Sequence, residues 1–143
     1  VIRAPKHPVV LRTDFSDDAA WKEIAREIAL PIGPDGLLAS VVYVDDPAYA
    51  EVNEENVRKS LAGYTHAFIV LADAVSMTRA DHPLLVVDLS SDDEPSFRAA
   101  PRSVQAIENN LTAGTMDFAE FGEAADEEED GVFRAFAGDT TLN

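Results

Sequence analysis

Short runs of consecutive apolar residues alternate along the chain with stretches whose apolar positions recur at helical spacing. Val9 to Leu11 are the first run and predict a strand. In the segment SDDAAWKEIAREIALP that follows, Trp21, Ile24, Ala25 and Ile28 stand at i, i+3, i+4 and i+7, one face of a helix. Ser16 is its expected N-cap, Asp17 and Asp18 suit the positive end of its dipole, and Pro31 stops it. After the turn IGPDG, a second strand is centred on Ser40–Val44 and ends at the corner Asp45-Asp46-Pro47. A second helix is expected from a cap at Asn53 to Gly63, with Val57 and Leu61 buried. Ala67 to Leu71 form a third strand, apolar throughout and therefore covered on both faces.

The second half continues in the same way. A short helix fits between the third strand and a fourth at Leu84–Leu89. The turn SSDDEP then leads to a fifth strand around Phe97, as an antiparallel hairpin. Val104, Ile107 and Leu111 share one face of a third helix that Gly114 ends. Asp117 with Glu120 has capping-box spacing and opens a fourth helix with Phe118 and Phe121 on its apolar stripe. The acidic run DEEED, a last apolar piece GVFRAF, strand or turn, that packs Phe133 or Phe136 onto the body, and a polar tail complete the chain.

This order predicts one α/β domain over 1–143: a mixed, mostly parallel sheet of about five strands with flanking helices. The first three strands are expected to be parallel, joined by helical crossovers. Residues 1–7 and 138–143 are expected to be loosely held.

Composition narrows the functional classes. With 143 residues, 46% of them hydrophobic, the chain can build a core. It has no cysteine, which removes disulfides, thiolate catalysis and thiolate metal sites. No apolar run approaches the roughly 20 residues that cross a bilayer, and the first residues lack the apolar centre of a signal peptide, so a cytoplasmic location is expected. The formal net charge is −16. Such a field repels nucleic acid and anionic membranes and favours cations and basic protein surfaces. Neither nucleic acid nor membrane is therefore an expected partner.

The candidate chemistry is acidic. Asp14, Asp45, Asp46, Asp73 and Asp88 each follow or end an expected strand. If those strands are parallel, their carboxylates meet at the edge where open α/β sheets bind ligands. Such oxygen ligands suit Mg²⁺, with Asp14, Asp45 and Asp46 as the candidate metal ligands. Arg12, Ser90 and Ser91 could then meet a phosphoryl group. The competing reading is local: Asp at a strand-to-helix corner caps backbone N–H groups. Known phosphotransfer patterns are incomplete here, because no Lys follows Lys59 and D-F-S-D-D is not D-x-D. The usual nucleotide loops and the G-x-S-x-G elbow are absent. His66 and His82 precede strands and are expected at the opposite edge from the Asp set. Asn110, inside IENNL, is a poor helix-interior residue and is either a structural bond or a ligand contact.

The segments LRTDFSDDAAW, VDDPAYA, LLVVDLS, IENNL and MDF, with the ending DGVFR, resemble a family of small bacterial proteins of unknown function. The resemblance runs from about Val9 to Phe136 and implies one compact α/β domain. It carries no activity. It implies that Arg12, Asp14, Trp21, Asp45, Asp46 and Asn110 belong to the family's pattern.

Two functional expectations follow. The first is a non-catalytic domain without cofactor that binds a basic protein, as an inhibitor or immunity protein does. Its acidic faces would be DEEED and the Asp92-Asp93-Glu94 loop. The second is a Mg²⁺-dependent phosphoryl or nucleotide site at the carboxyl edge of the sheet. A third view takes the acidity as a property suited to a salty habitat.

Overall fold

A computed structural model describes residues 5–61, 63–91 and 93–134. Six strands form one sheet in the order β2-β1-β3-β4-β5-β6. They are β1 (Val9–Arg12), β2 (Val42–Val44), β3 (Phe68–Ala72), β4 (Leu84–Asp88), β5 (Phe97–Ala99) and β6 (Val132–Phe133). β1 pairs parallel with β2 and with β3, as the helical connections imply. β4 is antiparallel to both β3 and β5, and β6 lies parallel to β5. Five strands thus point one way and β4 points the other. The last apolar piece, GVFRAF, contributes the sixth strand as a two-residue edge.

Side chains alternate strictly across the sheet. Val10, Phe68, Val70, Leu84 and Val86 join one core with α1 (Asp18–Ala29), α4 (Val104–Ala113) and α5 (Phe118–Asp126). Val9, Leu11, Ile69, Leu71 and Val87 join the other with Tyr49, Val52, Val57 and Leu61. The uninterrupted apolar run of β3 is therefore covered on both faces. Phe121 centres the first core, stacked on Phe97 and edge-on to Phe133. Phe136 lies outside the described residues, as do residues 1–4, Asp92 and the tail.

Several boundaries differ from the sequence pattern. The N-cap of α1 is Asp17, which accepts from Ala20 N, whereas Ser16 turns back to Asp14. α2 is one turn, Val57–Ser60, because Asn53 and Asn56 form a side-chain-bonded turn ahead of it. α3 (Ala74–Thr78) fills the β3–β4 connection. α4 ends as expected at Gly114, with φ 73°, and α5 opens with the Asp117–Glu120 capping box.

Candidate functional site

The carboxyl ends of β1, β2 and β3 share one edge, and the Asp residues there are engaged one by one. Arg12, the last residue of β1, is 3% exposed. Its Nε donates to the backbone oxygen of Asp14 at 2.9 Å, Nη1 to Asp45 Oδ1 at 3.3 Å and Nη2 to Asp18 Oδ1 at 2.8 Å. The guanidinium carbon lies 4.5 Å from the ring centroid of Phe15 and 5.8 Å from that of Trp21. All three guanidinium nitrogens are bonded and the cation rests on aromatic surface. Arg12 therefore ties β1 to the β2 corner and to the first turn of α1.

Asp14 directs Oδ1 at Ser16, accepting from its N and its hydroxyl. Asp46 caps the 3-10 turn at Pro47–Tyr49 by accepting from Ala48 N at 3.0 Å. The three proposed Mg²⁺ ligands thus serve a loop, an ion pair and a cap. Among the described residues no three His, Asp or Glu side chains gather in a metal-binding group. Between β1 and β3, Thr13 N donates to Ala72 O at 2.9 Å and continues the ladder past the strand ends.

Asp73 caps α3 by accepting from Ser76 N, and takes both terminal nitrogens of Arg98. Burial pushes its pKa up. The Arg98 guanidinium and the Ser76 hydrogen bonds push it down further, so the net shift is below the usual value. Beyond this pair, Arg134 bridges Asp130 at 2.8 Å and Asp81 at 3.1 Å.

Asp88 corrects the idea of a single converging cluster. Its Cα partner is Phe68, the first residue of β3, so it sits at the opposite edge from Asp14, Asp45, Asp46 and Asp73. The same reversal moves His82, which precedes β4, to the carboxyl edge, where its Nδ1 meets Ser76 O at 2.9 Å. His66 stays at the amino edge, against Pro5 O at 2.7 Å. Both corrections follow from the antiparallel direction of β4.

Asn110 is buried and its amide bonds within the fold. Its Nδ2 donates to Ala106 O at 2.8 Å, and its Oδ1 accepts from Thr115 Oγ1 at 2.6 Å. Arg98 and Glu108 were not singled out from the sequence. Glu108 Oε1 accepts from Ser40 N at 2.8 Å and Oε2 from Thr112 Oγ1 at 2.9 Å, anchoring the approach to β2 on α4. Arg98 had a signal: a cation between the core residues Phe97 and Ala99 needs an anion on its own face of the sheet.

Of the acidic loop 92–94, Asp92 lies outside the described residues. Glu94 shares a cleft of about 560 Å³ with Glu54 and Glu55, and not with DEEED. Asn53 sets this geometry, since its Oδ1 accepts from Glu55 N and Asn56 N in a tight turn. Arg58 also lines the cleft, and its guanidinium donates to Asp88 O and Ser91 O.

The chain belongs to a family described as Domain of unknown function (DUF6924), whose model matches residues 7–136. No curated protein matches the chain.

Proposed function

We propose that this member of the family is a non-catalytic module that binds a basic protein surface, in the manner of an inhibitor or immunity protein. The observation that carries the reading is the cleft framed by Glu54, Glu55 and Glu94, three exposed carboxylates against the one guanidinium of Arg58. The net charge of −16 adds long-range attraction for a basic partner and would speed its association. Support also comes from the carboxyl edge. Asp14, Asp45, Asp46 and Asp73 are each tied to a cap, loop or arginine, which weakens the alternative Mg²⁺-phosphoryl reading.

The test is capture from an extract of the source organism on immobilised wild type and on the E54K/E55K/E94K variant. A protein retained by the wild type, released as salt rises and lost from the variant is the expected result. Identical sets of retained proteins on both would overturn the reading.

A further inference from the structure

A second cleft, of about 330 Å³, lies at the amino edge of β3, beneath the turn between α4 and α5. Its walls are Phe68, Leu111, Met116 and Phe118, and its polar lining includes Asp88 and Glu120. Asp88 ends β4 on the same face as Leu84 and Val86, two residues apart along the strand, and so points under the helices. It is 3% exposed. Ser90 N and Oγ both donate to its Oδ1, at 2.9 and 2.7 Å. No basic side chain among the described residues forms an ion pair with this carboxylate.

A carboxylate buried among apolar groups is costly unless a cation faces it. Here the side-chain charges that line the cleft are all negative. Arg58 donates to the backbone oxygen of Asp88, and the positive start of α5 at Phe118 carries its own cap, Asp117. Asp117 and Glu120 stand at the rim, and α4 ends at Gly114, which also lines the cleft, so the negative end of that helix dipole adds to them. Among the described residues, Lys and Arg are absent from the lining. An anion is disfavoured by the sign of the lining side chains. A bare divalent ion is disfavoured by apolar walls and by the lack of a second converging ligand group. What fits is a cation with an apolar body, for which aromatic walls are also suited.

We propose that this cleft binds an organic cation, an ammonium or guanidinium group on a short aliphatic stem, with the head on Asp88 and the stem against Phe68, Leu111, Met116 and Phe118. The site lies on the other side of the sheet from the Glu54–Glu55–Glu94 surface, although Arg58 of that surface donates to the backbone oxygen of Asp88. Val87 lines that cleft and Asp88 lines this one, and adjacent residues of a strand face opposite sides. The head group could arrive as a free amine or as a Lys or Arg side chain of a partner protein, and the two sources differ only in what the stem is attached to.

The test is an NMR titration of the full chain with n-butylammonium, n-butylguanidinium, the neutral n-butylurea, and a capped Gly-Arg-Gly peptide. Saturable shifts at Ser90, Thr115 and Met116 with a cation but not with butylurea are expected. D88N should weaken the cation about tenfold, the loss of one charge-assisted contact. E54K/E55K/E94K should weaken the cation much less than D88N and leave the residues that shift the same. Stronger binding of the peptide assigns a protein side chain as the source, and stronger binding of the free cations assigns a small molecule. Equal shifts with butylurea, no saturable shift with any cation, or wild-type affinity in folded D88N would overturn the proposal. If D88N does not fold, E120Q and added salt decide: an affinity that responds to neither overturns it, and one weakened by both supports it.

Discussion

Arg98 holds both carboxylate oxygens of Asp73, Nη1 on Oδ1 at 2.8 Å and Nη2 on Oδ2 at 2.9 Å. The pair links the end of β3 to β5 across the antiparallel β4, while Asp73 also caps α3. Burial raises the Asp73 pKa, but the guanidinium and Ser76 outweigh it and leave the folded value depressed. A depressed folded value gives stability that is present above the unfolded pKa, about 3.9, and lost as pH falls through the folded one. Asn is also a good cap, so D73N isolates the charge. The difference in urea stability between wild type and D73N should be constant between neutral and mildly acidic pH and close below about pH 4. A difference unchanged under strongly acidic conditions would disconnect Asp73 from acid unfolding.

Asp130 makes a second prediction on more exposed ground. The hydrogen bond from Arg134 holds its pKa down to about 2, helped by the backbone N–H of Val132. Carboxyl-carbon NMR should show Asp130 titrating well below the ordinary Asp value of about 3.9. In R134Q its midpoint should rise toward the ordinary Asp value of about 3.9. An unchanged midpoint in R134Q would assign the shift to the backbone contact instead.

Arg12 is a buried cation whose two carboxylate partners, Asp18 and Asp45, are 80% and 48% exposed at the side chain. The asymmetry decides which change matters. R12A removes a fully bonded buried group and leaves Asp14 O without its donor, a loss of about 3 kcal/mol. D18N or D45N removes one solvent-screened partner, a loss of about 1 kcal/mol or less. R12K offers one ammonium in place of a three-sided guanidinium and should fall between. Trp21, the single tryptophan, lies beside the cation and reports unfolding by its fluorescence in urea. Equal losses for R12A and D45N would refute this ranking.

What was legible in the sequence was whatever local chemistry decides. The Asp117–Glu120 box depends on residues three apart, and the Gly114 stop on one backbone angle, so both were readable. The parallel trio β1, β2 and β3 followed from helix-bearing connections. The edge on which Asp88 and His82 lie depended on the direction of β4, which local pattern does not carry. The β3–β4 connection, residues 73–83, holds only the short helix Ala74–Thr78, and the chain turns back antiparallel instead of crossing over. The ion pair of Arg98 was hidden for the same reason: Asp73 becomes its neighbour only once the strand order β3-β4-β5 is known.

Asn110 separates a structural bond from a ligand contact by experiment. Its amide nitrogen returns to Ala106 O within α4, and its side-chain oxygen receives the Thr115 hydroxyl beyond Gly114. Its backbone oxygen receives Thr115 N at 3.0 Å as well, so the residue ties the helix end to the following turn at both levels. Ala is the better helix former, so propensity alone would make N110A slightly stabilising. The buried bonds reverse that sign, and N110A should lose about 1–2 kcal/mol. T115V should lose less, since its hydroxyl is near solvent. The double variant N110A/T115V should be less destabilised than the sum of the two, by about 0.5–1 kcal/mol, because the singles remove a shared contact. Strict additivity in urea denaturation would mean that Thr115 does not act through Asn110.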